Sequence, residues 1–281
     1  MLVNIGNNRY RLIDFWTGTY RAATGSGVLN TLPISVAPYA VKFEKRLPVK
    51  IMFLALFFAT IQYMFMLGTR TQFAILLLIV ILAALQFAYS EQGIAGVLKC
   101  IGIMAVISLI AFLLYHFNVL SIREYILSTN LAARYERRAS LESSDSFRFQ
   151  SFWIGLRELI QYPMGGRASQ IYRHNMWLDV GRVSGIIPFC LLLVYSIKNF
   201  ANVTAIWKNT KILPSLRYLL LFLYIGAYVN CFVEPIWEGA LNFFLALCVV
   251  DGMVSAMMRR LENDPIPEES VPDTSNLHTY L

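Results

Sequence analysis

Six stretches of the chain stay apolar for roughly the 20 residues that a helix needs to cross a bilayer. They are 51–67, 72–89, 97–119, 176–197, 214–233 and 237–257. A seventh, 22–41, carries Pro33 and Pro38, which interrupt a regular helix unless neighbouring helices satisfy the freed carbonyls. Between the third and fourth stretches lies a long polar segment. Within it Phe149, Phe152, Trp153, Leu156, Leu159 and Ile160 recur at helical spacing, with Arg157, Glu158 and Gln161 between them. Ser143 to Ser146 supply N-cap candidates, and Pro163, Gly165 and Gly166 end the run. An amphipathic helix of this kind is expected to lie along a membrane surface.

The pattern predicts an all-α, polytopic membrane protein of six or seven transmembrane helices with a helical external loop. It divides into an external segment (1–21), a first transmembrane part (22–119), the loop (120–175), a second transmembrane part (176–257) and a cytoplasmic tail (258–281).

Composition agrees: hydrophobic residues make up 57% of the chain and charged residues 15%, too few to cover a soluble domain of this size. Cys100, Cys190, Cys231 and Cys248 are scattered through apolar runs without metal-ligand spacing, and no nucleotide-binding glycine motif occurs.

Charge changes the picture more. With the spans alternating, all seven lysines fall on one side, together with Arg46, Arg217, Arg259 and Arg260. These occupy short connections and the tail, the cytoplasmic signature. The other side receives thirteen arginines and no lysine. A topogenic signal alone would not sort the two residue types, whereas guanidinium forks bind phosphate oxygens in bidentate fashion. Any one of these arginines could simply anchor at headgroups. As a set they point to a polyanionic ligand on the outer face. The same alternation places residues 1–21 outside with no span before them, so either the 22–41 stretch is not a true crossing or, the preferred expectation, the chain is the C-terminal portion of a longer protein.

Seven positions concentrate the candidate chemistry. Arg70 stands in a short link between two spans, where a charge is costly unless paired or used. Arg148 falls in the first turn of the amphipathic helix, where free amides also favour an anion. Arg173 and His174 meet the mouth of the 176–197 stretch, followed by Asn175, Asp179 and Arg182 near one face. Asp179 and Arg182, at i, i+3, are expected to pair. A neutral histidine at that mouth suits a general base, since flanking arginines disfavour a further positive charge.

These residues resemble a known family. Arg148, the amphipathic helix, Pro163 with Gly165-Gly166, His174-Asn175 and then Gly185 after nine residues are similar to the shared C-terminal region of O-antigen polymerases and O-antigen ligases. The Arg70 link and the proline-containing early span are similar too, and the likeness runs from about residue 22 to 257. Members of that family are longer, with further spans upstream, and Pro188 here replaces a small or hydroxyl residue.

The resemblance implies a GT-C-like glycosyltransferase of the bacterial inner membrane, acting at the periplasmic face on an undecaprenyl-diphosphate-linked oligosaccharide. His174 would be the acceptor-activating base and Arg70, Arg148, Arg173 and Arg182 would hold the diphosphate, supported by Asn175 and Asp179. No metal, cofactor or nucleic acid is expected; membrane lipid and a chain-length regulator protein are the expected partners. The ligase, with lipid A-core as acceptor, is the alternative. A transporter or flippase of lipid-linked saccharide would instead spread charge through several spans and carry inverted repeats.

Overall fold

The computed structural model describes residues 12–13, 18, 20–21, 23–133 and 144–263; the side chains of 20, 21, 23, 24, 144–148 and 262 fall outside the description. A two-residue ribbon pairs β1 (Leu12–Ile13) with β2 (Tyr20–Arg21), antiparallel. Among the described residues, every regular element after it is a helix. The expected seventh stretch is two short helices, α1 (Ala23–Leu29) and α2 (Thr31–Phe43), broken at Asn30 and with Pro38 inside the second. Proline at the first turn, where no intrahelical N–H is needed, starts both α3 (Leu47–Leu67) and α9 (Pro214–Val233).

The 47 residues of α4 (Arg70–His116) would measure about 70 Å in one rod, more than twice the bilayer's hydrocarbon thickness. Gly93, at φ 60° and ψ −143°, breaks it into two arms, 70–92 and 94–116, which match two of the expected spans. A short 3-10 turn then leads to α5 (Ile122–Ser128). The amphipathic helix is α6 (Ser144–Gln161). Helices α7 (Met176–Ser184), α8 (Ile186–Lys208), α10 (Ile236–Gly239) and α11 (Leu241–Asn263) are the remaining described elements.

The 176–197 stretch is therefore not one span. It stops at Gly185, whose φ of 95° no helix accommodates, and the crossing helix is α8, which runs on to Lys208. Hydropathy does not register the break, because α7 and the first half of α8 are both apolar.

Helix α9 is central: it packs against α2, α4, α7 and α8. One core forms where Val203, Ile206, Tyr224, Tyr228, Phe243 and Leu247 meet; a second joins Ile34, Met64, Ile75, Ile79 and Phe222. A buried polar tie crosses between them. Gln72 Nε2 donates to Asn230 Oδ1 at 2.7 Å, and Asn230 Nδ2 donates to Thr31 Oγ1, joining α4, α9 and α2. Gln72 is two residues into α4 and Asn230 three residues from the end of α9, so this tie also fixes which ends lie together. Arg70, the loop after α6, α7, the start of α8 and α10 all share that end. At the opposite end Lys42 pairs with Glu91, and Arg217 Nη1 donates to the Trp207 carbonyl at 3.3 Å.

Candidate functional site

The site is built on a segment folded around one arginine. After α6, residues 162–175 turn back and cover the C-terminal end of α7. The Gly166 and Arg167 amides donate to the carbonyls of Val183 and Arg182, at 2.9 and 3.1 Å, and the Ile186 amide donates to the Pro163 carbonyl at 2.8 Å. Such close backbone contact leaves no room for side chains: a Cβ on Gly165 would lie 2.5 Å from the Gly185 amide nitrogen, and both glycines have positive φ. Arg182, fully buried, fills the inside of the turn. Its Nη1 donates to the carbonyls of Arg167, Ala168 and Gln170 at 2.6, 3.1 and 2.8 Å, and Nη2 pairs with Glu238 of α10. Its Nε lies 3.7 Å from Asp179 Oδ1.

Arg173 is clamped as tightly. Its Nε and Nη2 donate to the two carboxylate oxygens of Glu158 on α6, at 3.0 and 2.6 Å, and its backbone N–H donates to Asp179 Oδ1 at 2.6 Å. Asn175 caps α7, accepting the Leu178 amide on Oδ1 at 3.1 Å and donating Nδ2 to the Phe232 carbonyl at 3.2 Å. His174, fixed between these two neighbours, adopts φ 55°, a left-handed backbone that side-chain-bearing residues rarely take. Its ring sits edge-on to Tyr172 at 4.7 Å. A residue held in that region is over-determined by its surroundings, and such residues cluster at functional sites.

His174, Asn175 and Arg173 form one wall of a cavity of about 460 Å³ whose other walls are Phe149, Phe152, Phe232 and Val233. An apolar chamber with a histidine and a guanidinium at one edge suits an amphiphilic ligand with an anionic head. Burial pushes the Asp179 carboxyl above its ordinary range, while the Arg173 amide and the Arg182 guanidinium pull it back. Its Oδ2 is buried and has no hydrogen-bond partner among the described residues.

Of the expected site residues, the structure thus joins Arg173, His174 and Asn175 at the cavity and places Asp179 and Arg182 beneath them. Arg70, half-buried, stands at the same end of the bundle at the start of α4. Arg148 lies on the backbone of α6, with its side chain outside the described residues.

Two further features depart from the sequence pattern. The face of α6 that packs inward is Ser151, Gly155, Glu158 and Leu159, whereas Phe149, Trp153 and Ile160 are exposed. Gly155 on α6 and Gly181 on α7 bring the two helices close, Leu178 lying against Gly155 and Leu159 against Gly181, so small residues and not aromatics mark the contact. Glu158, on the polar side of the helical pattern, and Glu238, at the start of the 237–257 stretch, prove to be the partners of Arg173 and Arg182. No family model and no curated protein sequence matches the chain, so its chemistry is read from this end of the bundle.

Proposed function

We propose that the protein is a metal-independent glycosyltransferase that polymerises undecaprenyl-diphosphate-linked O-antigen, or a related surface polysaccharide, at the periplasmic face of the bacterial inner membrane. The observation that carries the reading is the cavity: an aromatic chamber at the end of an apolar bundle, with His174 and Arg173 on its polar edge. Phe149, Phe152 and Phe232 take the first units of the prenyl chain. Arg173, whose Nη1 is not engaged by Glu158, draws the diphosphate together with Arg70 and Arg148. His174 accepts the proton of the attacking sugar hydroxyl as the new glycosidic C–O bond forms and the bond to the diphosphate breaks. In this scheme Arg182 and Asp179 are positioning residues, since the guanidinium of Arg182 is already enclosed by protein acceptors. The exposed Phe149, Trp153 and Ile160 give α6 an apolar side to rest on lipid.

General-base assistance is typically worth about 10²–10⁴-fold in rate. His174→Ala, introduced into the full-length protein in a strain lacking its own polymerase, should therefore abolish most of the lipopolysaccharide ladder at normal membrane abundance. A normal ladder removes the histidine from the mechanism. Loss of glycan transfer to lipid A-core with lipid-linked polymer still accumulating identifies the ligase instead.

A further inference from the structure

Ten residues into α11, about 15 Å from its first residue, Asp251 is buried inside the membrane-spanning helices. Its partners come from two other helices at matching depth. Tyr195 is nine residues into α8 and Tyr224 nine residues from the end of α9, each about 14 Å in. Tyr195 Oη and Asn199 Nδ2 both donate to Asp251 Oδ2 at 2.7 Å, and Tyr224 Oη contacts Oδ1. The other titratable groups facing this junction are Tyr228 and Cys231 on α9 and Cys248 on α11. None of them is a cation. Lys198 on α8 is exposed, and among the described residues no lysine, arginine or histidine lies within ion-pair distance of Asp251.

A carboxylate with no counter-cation, sunk in hydrocarbon, is among the least favourable states a side chain can adopt, and such groups neutralise instead. Three neutral dipoles solvate a charge in part but cannot cancel its field. The heavy-atom geometry serves the neutral acid equally well: the acid's own O–H donates to Tyr224 Oη, while Oδ2 accepts from Tyr195 and Asn199. We propose that Asp251 is a proton-binding site of the membrane interior, a carboxyl kept neutral between α8, α9 and α11 at neutral pH.

The site is separate from the cavity and does not depend on the glycosyltransferase reading. It does bear on α7. Trp177 Nε1 donates to Ser196 Oγ at 3.0 Å, one helical turn from Asn199, so a charge appearing at Asp251 would disturb the junction from which α7 hangs.

The test is an infrared difference spectrum of the full chain in lipid, wild type minus Asp251→Asn, at neutral pH. The wild type should show the carbonyl stretch of a protonated carboxyl that the variant has lost, and the band should persist on raising the pH. A carboxylate band lost in its place overturns the proposal. If Asp251→Asn cannot be recovered folded, Asp251→Glu serves. It should shift a protonated-carboxyl band, and a shift confined to the carboxylate bands overturns the proposal equally.

Discussion

Arg182→Met is the substitution that should damage this protein most for its size. The side chain is enclosed, and its cation faces a buried carboxylate, Asp179, and a second one, Glu238. One nitrogen, Nη1, serves three carbonyls of the covering segment. With two hydrogens it makes at most two good bonds at once, each worth about 1.5–3 kcal/mol when the donor is charged. Removing the cation also leaves Asp179 buried beside nothing positive, and breaking such a pair typically costs 3–5 kcal/mol in total. The terms share one group and do not add, so we expect about 3–5 kcal/mol for Arg182→Met. Arg182→Lys keeps the charge but reaches one or two acceptors in place of five and should lose about 1–3 kcal/mol. Denaturant unfolding of the detergent-solubilised protein measures the loss. Limited proteolysis locates it, because residues 163–174 should become the preferred site of cleavage. An Arg182→Met protein within about 1 kcal/mol of the parent, with no new cut there, would show that the segment is held by its backbone contacts with Val183 and Ile186 alone.

Gly185→Ala should destabilise the same region by about 1–3 kcal/mol, since alanine must adopt φ 95° and its Cβ would press on Pro163 and Met164; unfolding midpoints close to the parent's would refute this. Asp179→Asn tests the raised carboxyl. A group whose folded pKa is raised stabilises the fold below its unfolded value, about 3.9, and loses that contribution as pH rises through the folded one. The wild type should therefore lose stability relative to Asp179→Asn as pH rises above about 4, and a gap that widens in its favour would reverse the sign. For topology, Ser169→Cys should react with a membrane-impermeant thiol reagent in intact cells and Lys208→Cys should not, each in a background with the native cysteines replaced by alanine. The opposite pattern would invert the bundle and remove the periplasmic assignment.

How far the sequence could be read depended on whether a signal was local. Apolar length located the crossing helices, and Gly165, Gly166 and His174-Asn175 marked the turn at the cavity because each is required by backbone or cap geometry on the spot. The break at Gly185 went unseen since hydropathy is additive and blind to φ. The polar start of 198–208, Lys-Asn-Phe-Ala-Asn, likewise hid the second half of α8. Partners far along the chain left no trace: Glu158 is 15 residues from Arg173, Glu238 is 56 from Arg182, and Asp251 meets Tyr224, Asn199 and Tyr195 across 27, 52 and 56 residues. Asp251 is visible inside the 237–257 stretch, but nothing local marks the two tyrosines and the asparagine that meet it. The inward face of α6, built on Ser151, Gly155 and Glu158, left no hydropathy signal, because helices that meet through glycine leave their large residues outside.

The second arm of α4 leads to a different kind of constraint. From Ile101 to Leu113 nearly every side chain is exposed, on all sides of the helix, so among the described residues little is packed along it. Nothing there selects a shape. Leucine, isoleucine, valine and phenylalanine are nearly interchangeable at such positions, because what the arm must satisfy is the partition between the insertion machinery and lipid, and that partition weighs summed apolar content alone. A cavity-forming change such as Ile107→Ala, damaging in a core, should pass almost unnoticed. A single Ile107→Asp would raise the insertion free energy by about 3 kcal/mol. This arm is written in a composition code, while the turn around Arg182 is written in a positional one.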